Sequence, residues 1–288
     1  MKIGIIGGAG FIGSNLCEFY AKQGHEVHSL DNYYNGKLEN HVDGVVYHTG
    51  NAEHVSRYLP KDTDILFHFG EYSRVEQSFE DMDVCFELNG QIKSVIDFCL
   101  QNDIKLIYSG SSSAFVENYL QSPVNLSPYT MTKIHNTQKI NAIGSWRKDL
   151  DYAIVYFYNV YGPRECGTGP MSTLIASWAY RMANDLHLTV TGDGLQARNF
   201  THVYDVIDAL DKVALRGYGD FYGIGSDDSF SVLDVAKAFG GEIIHREDVR
   251  GNRRTARLDT ERTKMLGWNP TRHLYDYIEE LRNNNWKN

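Results

Sequence analysis

The chain has 288 residues, of which 42% are hydrophobic and 23% charged; 28 Lys plus Arg against 37 Asp plus Glu give a formal net charge of −9 at pH 7. These values exclude a disordered or fibrous chain and leave no bulk electrostatic drive toward nucleic acid or an anionic membrane, so an anionic ligand would need a local cluster of Arg or Lys. No apolar run is long enough to span a bilayer, and glycines break the N-terminal run Met1-Lys2-Ile3-Gly4-Ile5-Ile6-Gly7 before a signal-peptide pattern can form. That run reads as a strand, and the expected location is the cytoplasm. Cys17, Cys85, Cys99 and Cys166 form no CxxC, and no His cluster has zinc spacing. They read as scattered reduced thiols, with no metal site.

Residues 2–6 have the pattern of a strand buried on both faces. They run directly into Gly7-Gly8-Ala9-Gly10-Phe11-Ile12-Gly13, after which Ile12, Leu16, Phe19 and Tyr20 mark the apolar face of a helix. Glycines at such a turn let the backbone approach a pyrophosphate, and the helix N-terminus supplies free N–H groups and the positive end of its dipole. A glycine triplet alone could be a tight turn. Here the second strand, 26–30, ends in Asp31, 18 residues after Gly13. A carboxylate there accepts hydrogen bonds from both adenosine ribose hydroxyls and repels a 2′-phosphate, so NAD is favoured over NADP.

Further strand-like runs lie at 45–48, 64–69, 104–108 and 152–158, with helical patterns between them. In 91–100, Ile92, Val95, Ile96, Cys99 and Leu100 form a stripe suited to core or a subunit interface. The alternation over the first 160 residues predicts an α/β fold, a Rossmann-type doubly wound parallel sheet. After Gly162-Pro163 the regularity weakens and glycine-rich turns appear, as expected for a smaller C-terminal substrate-binding lobe. The expected division is 1–165 with about 199–222 for the dinucleotide-binding domain, and 166–198 with 223–288 for the lobe.

Tyr129-Thr130-Met131-Thr132-Lys133 places a Tyr and a Lys four residues apart, on one face of a helix that Ser127-Pro128 would start. A phenol is too weakly acidic to act as a base at neutral pH unless a neighbouring ammonium favours its ionised form. Tyr108-Ser109-Gly110-Ser111-Ser112-Ser113 gathers hydroxyls at the end of the fifth strand, where a doubly wound sheet faces its ligand. Some of these serines are expected to be caps or loop hydroxyls.

Gly7–Gly13, Asp31, the strand-end serines and the Tyr129/Lys133 pair together resemble the extended short-chain dehydrogenase/reductase family, and within it the NAD-dependent nucleotide-sugar epimerases and dehydratases of the UDP-glucose 4-epimerase type. The likeness extends over essentially the whole chain through Asn159-Val160-Tyr161-Gly162-Pro163-Arg164, the segment from Gly192 to Val206, and Leu266-Gly267-Trp268-Asn269-Pro270. The resemblance implies NAD as cofactor, held by Gly7, Gly10, Phe11, Ile12, Gly13, Asp31, Asn32, Asn51, Ala52, Phe69, Gly70 and Tyr158 as well as Tyr129 and Lys133. It implies Tyr129 as general base, Lys133 as its partner and Ser111 as the hydroxyl beside the reacting group. A nucleotide-diphosphate sugar would meet Glu71, Ser73, Arg74, Ser112, Asn159, Arg198, Arg250 and Arg253. It also implies a homodimer packed through helices near 79–101 and 129–148, with no nucleic-acid or membrane partner.

Two departures from the family's pattern bear on the chemistry. Glu71 stands where the family usually has a small residue. Ser112 and Ser113 stand where sugar 4,6-dehydratases carry an Asp-Glu pair that eliminates water. The expected activity is therefore C4 epimerisation through a transient 4-keto sugar. The alternatives are a dehydratase, decarboxylase or reductase sharing the first oxidation, with Glu71 as a possible carboxylate, and a non-catalytic NAD-sensing regulator, which the Tyr129/Lys133 pair argues against.

Overall fold

The computed structural model describes residues 1–112, 126–247 and 258–287. The apolar runs of the first half become strands: β1 (Lys2–Ile6), β2 (Glu26–Asp31), β3 (Val45–Thr49), β4 (Ile65–His68), β5 (Lys105–Ser109) and β6 (Tyr152–Phe157). Between them run α1 (Phe11–Lys22), α2 (Val55–Tyr58), α3 (Met82–Asn89), α4 (Ile92–Gln101) and α5 (Pro128–Trp146). The later elements are β7 (Val160–Tyr161), α6 (Leu174–Ala183), β8 (Leu188–Thr191), β9 (Ala197–Asn199), β10 (Thr201–His202) and α7 (Val203–Arg216). They continue with β11 (Gly219–Ile224), β12 (Ser229–Ser231), α8 (Val232–Phe239), β13 (Ile243–Arg246), α9 (Glu261–Lys264) and α10 (Leu274–Asn283).

The main sheet has seven strands in the order β11-β6-β5-β4-β1-β2-β3, and every pairing in it is parallel. Alternate residues of each central strand serve opposite faces, as the two-residue period of a strand requires. Ile3, Ile5, Phe67, Ile107 and Val155 pack with Leu16 and Tyr20 of α1 and Val206 and Leu210 of α7. Leu66, Leu106, Tyr108 and Ile154 pack with Val95, Ile96 and Cys99 of α4 and Ile140 of α5. The stripe on α4 is thus core. Fully burying one such side chain contributes roughly 1.5–3 kcal/mol, so both faces are needed to hold the sheet.

The sequence reading named no strand at β11. Gly219-Asp220-Phe221-Tyr222-Gly223-Ile224 lacks a continuous apolar run, its register against β6 shifts between Gly219 and Tyr222, and Phe221 has a φ of 69°. Only pairing with β6 makes it a strand. A third core gathers Tyr161, Trp178, Leu188, Phe200, Val235, Phe239, Leu274 and Ile278. It lies among the elements that follow β6 and includes the parallel pair β8–β13.

The chain runs outward from β1 to β3 and then returns to place β4 on the other side of β1. A sheet with such a reversal leaves a crevice at the carboxyl ends of its strands. Gly7–Gly13, Asp31, Phe69-Gly70, Ser109–Ser112 and Asn159 all follow or end those strands, which brings segments far apart in sequence to one rim. Among the described residues, no helix is long and apolar enough to cross a membrane.

Candidate active site

A cavity of about 650 Å³ occupies that rim. One end is built from backbone. Gly7 has a φ of +90°, and a Cβ there would lie 2.6 Å from Gly70 N. A Cβ on Gly13 would lie 2.1 Å from Gly7 O, so α1 packs against the turn as closely as backbone allows. Gly10 lines the cavity, and only Gly7 O, at 3.2 Å, would meet its Cβ; the remaining side is open space a side chain would fill. No side chain caps the start of α1. Its first N–H groups are left for a ligand, and the helix dipole favours an anion there.

Asp31 closes this end. Its Oδ2 accepts from Ala9 N–H at 2.9 Å and its Oδ1 from Tyr33 N–H at 2.8 Å. Burial pushes its carboxyl above the usual range, and these two N–H groups oppose the rise. Asn40 Nδ2 and Lys37 N both donate to Ala9 O, which ties the loop after β2 to the glycine turn. A cradle of glycines, an uncapped helix start and a strand-end carboxylate form a donor and acceptor set that fits NAD.

The other end is built from charged side chains. Ser127 caps α5, accepting from Thr130 N–H at 3.1 Å, and Pro128 occupies the first turn, so the helix starts where the sequence predicted. Tyr129 and Lys133, one helical turn apart, both line the cavity, as do Ser111 and Ser112. Lys133 Nζ donates to Ser109 O at 2.7 Å and lies 2.6 Å from Glu71 Oε2. Tyr108 OH donates to the same oxygen at 2.8 Å, and Asn136 Nδ2 donates to Glu71 Oε1 at 3.0 Å. His68 Nε2 is 3.5 Å from Oε1, an ion-pair distance rather than a hydrogen bond. Burial alone would push the Glu71 carboxyl up; the ammonium of Lys133, with His68, overcomes this and holds it well below the usual carboxylate range.

Most of the expected site residues lie on this one cavity: Gly7, Gly10, Phe11, Ile12, Gly13, Asp31, Asn32, Phe69, Gly70, Glu71, Ser73, Arg74, Ser111, Ser112, Tyr129, Lys133, Asn159 and Arg198. Several depart from their expected roles. The Glu71 side chain is 0% exposed, and its carboxylate is engaged with Lys133, Tyr108 and Asn136 rather than presented to a sugar. Tyr158 is off the cavity wall. Neighbouring residues on an extended chain point to opposite faces, so Phe157 lines the cavity while Tyr158 is buried in the core under α4 and α5, its hydroxyl accepting from Asp259 N–H at 3.3 Å. Asn51 and Ala52 are also off the wall. The Asn51 amide oxygen, expected to meet adenine, accepts from Asn32 Nδ2 at 3.0 Å, and Ala52 is buried. Arg74 lines the cavity with its guanidinium tied to Met171 O and Ser73 O. Arg250, Arg253 and Ser113 lie outside the described residues.

Charged residues beyond the expected set also line the wall, among them Arg246 and Glu165. Arg246, at the end of β13, lines the cavity with its Nε donating to Thr191 Oγ1 at 2.7 Å. It precedes the arginines singled out in the sequence, so the basic run begins earlier than it was read. Glu165 is buried behind Pro163-Arg164. Its Oε2 accepts from Gly162 N–H at 3.1 Å, its Oε1 has no protein partner among the described residues, and burial pushes its carboxyl up to about 7. Nothing in its local sequence marked it.

Known proteins resemble this chain over most of its length. The model of the NAD dependent epimerase/dehydratase family matches residues 3–225. A UDP-N-acetyl-alpha-D-glucosaminuronate decarboxylase of Bacillus cytotoxicus is 27% identical over 81% of this chain and 77% of its own. A UDP-glucose 4-epimerase of Lactobacillus helveticus is 26% identical over 96% of this chain and 94% of its own. The crystal structure of a UDP-glucose 4-epimerase of Thermotoga maritima with UDP-glucose superposes with a TM-score of 0.87, covering 99% of both chains at 23% identity, a likeness of fold.

Proposed function

We propose that this chain, which belongs to the NAD-dependent epimerase/dehydratase family, is a nucleotide-sugar 4-epimerase in which Tyr129 is the general base. The observation that carries this reading is the meeting of Tyr129, Lys133 and Ser111 with the glycine turn on one cavity, while the residues following Ser111 are serines rather than carboxylates.

Bound NAD supplies the hydride acceptor and donor. The chain's own part is binding, orientation and proton transfer. Gly7, Gly10 and Gly13 with the start of α1 take the pyrophosphate, and Asp31 takes the adenosine ribose. Lys133 Nζ would give up its long 3.3 Å contact with Ser109 Oγ to hold the nicotinamide ribose, keeping Glu71 Oε2 and Ser109 O. The Tyr129 phenolic oxygen takes the proton of the sugar C4 hydroxyl, and Ser111 Oγ holds that hydroxyl in place. The resulting 4-keto sugar turns about its diphosphate, which Arg198 and Arg246 suit because a guanidinium binds phosphate oxygens in pairs. Tyr129 then returns its proton to the C4 oxygen with the opposite face presented, so the product has the mass of the substrate.

A second reading, a lyase that removes water or carbon dioxide after the same oxidation, is favoured by the similarity to the decarboxylase. Against water elimination stand the serines after Ser111 and the commitment of Glu71 to Lys133. Incubation with a panel of UDP-, GDP- and dTDP-sugars and catalytic NAD, followed by chromatography and mass spectrometry, separates the two. A new sugar nucleotide of unchanged mass is expected; a product lighter by water or carbon dioxide, or NADH accumulating with substrate, would overturn the epimerase.

The same reading places the enzyme in the cytoplasm as a homodimer. In support, all four cysteines are free, as in a reducing compartment. Helix α3, which packs beside α5, leaves Met82 and Phe86 exposed, at 47% and 37%. The boundaries expected from the sequence, 1–165 with about 199–222 against 166–198 with 223–288, belong to the proposal.

A further inference from the structure

Lys133 carries three ammonium protons and meets three protein acceptors: Glu71 Oε2 at 2.6 Å, Ser109 O at 2.7 Å and Ser109 Oγ at 3.3 Å. The pair is buried in the cavity wall, with side-chain exposures of 5% for Lys133 and 0% for Glu71. Glu71 cannot swing away. Tyr108 OH holds one oxygen and Asn136 Nδ2 the other, and Asn136 is itself held by Asn89 O at 2.7 Å. An ammonium one helical turn from a phenol projects its full field onto it. An ammonium with a carboxylate fixed against it acts as a short dipole, whose field falls off faster with distance.

We propose that Glu71 is the fixed counter-ion of Lys133, a positioning residue that screens the ammonium from Tyr129 and so raises the pH at which the phenol becomes a base. The proposal rests on the reading of Tyr129 as the base. The other ionisable groups around this pair are His68 on β4, Tyr72 and Arg74 in the segment after it, Cys85 on α3 and Tyr108 on β5. None of them shares both partners. Arg74, although hydrogen-bonded to Met171 O and Ser73 O, keeps its charge and acts on Tyr129 directly, in the wild type and in Glu71→Gln alike, so it cancels in the comparison; Tyr108 donates to Glu71 itself. Glu71 also explains itself as a departure from the family's small residue: a carboxylate this deep is tolerated because Lys133, Tyr108 and Asn136 satisfy it.

The test is ultraviolet titration of the NAD-bound enzyme at the phenolate band, with the same titration of Tyr129→Phe subtracted so that one tyrosine is read among 19. In Glu71→Gln, subtracted against its own Tyr129→Phe double variant, the midpoint is expected to move to lower pH by about one unit, the usual effect of one unscreened charge a few ångströms away. The acid limb of the turnover profile should move with it. A midpoint that stays or rises, or a Tyr129 signal absent from both proteins, overturns the proposal. If Glu71→Gln does not fold, Glu71→Ala removes the same charge and carries the same expectation. The titration uses no sugar. An enzyme that converts no nucleotide sugar would sink the epimerase reading while leaving this test intact.

Discussion

The two ends of the cavity are made in opposite ways. The glycine end works through missing side chains: three glycines and a helix start that no side chain caps. The other end works through four long side chains from three segments, Glu71 after β4, Tyr108 on β5, and Lys133 and Asn136 on α5, which satisfy one another in a buried cluster. The first end tolerates almost no added volume, whereas the second tolerates almost no unpaired charge. Binding and proton chemistry should therefore fail separately.

The largest expected separation is at Tyr129. Removing its hydroxyl in Tyr129→Phe should lower kcat by about 10³-fold, within the usual range for loss of a general acid–base group, and leave NAD affinity nearly unchanged. Stopped-flow turnover beside a calorimetric NAD titration reads both, and a parallel loss of NAD binding would break the comparison. Next comes Gly13→Ala, whose Cβ would lie 2.1 Å from Gly7 O. Backbone must shift to accommodate it, at about 1–3 kcal/mol of stability, and NAD should bind at least about tenfold more weakly. A thermal melt and the same calorimetry check this; unchanged NAD affinity would mean that the turn is not the pyrophosphate site.

The smallest expected effect lies at Asp31 and sharpens the contrast through pH. Burial raises its carboxyl, so it takes up a proton at a higher pH than an ordinary Asp as the solution is acidified. The ionised form accepts the ribose hydroxyls, so NAD affinity should weaken as pH falls through that raised window and be fully present above it. Asp31→Asn should bind NAD about tenfold more weakly at pH 7, the value of a hydrogen bond to a charged group, and lose the acid dependence. NAD titrations from pH 4 to pH 8 decide it. An acid fall that persists in the variant would move the titrating group elsewhere.

The same division runs through what could be read in advance. Gly7, Gly10, Gly13 and Asp31 are legible because their work is local: a strand, a turn and a helix start adjoin in the chain, and each glycine is required by backbone geometry. Ser127 and Pro128 announced the start of α5 for the same reason. Tyr129 and Lys133 were legible as a pair because helical spacing puts them on one face. The fate of Glu71 was not, since His68, Tyr108 and Asn136 reach it only after the sheet is assembled. Tyr158 was misplaced by one residue on an extended strand, which is enough to move a side chain from cavity to core. Asn51 was assigned to adenine without a view of Asn32, and β11 was passed over because its pairing with β6, rather than its own residues, makes it a strand.

The sequence by itself determined the parallel α/β fold, the glycine turn between its first strand and helix and the shared helix face of Tyr129 and Lys133, because periodicity and turn chemistry act between residues that are neighbours along the chain. Only the tertiary structure decided that Glu71 faces Lys133 instead of open cavity, that Arg246 reaches the cavity and that the Glu165 carboxylate is buried. Those outcomes depend on burial and on charges brought together across long stretches of sequence, and desolvation has no local signature in the order of residues.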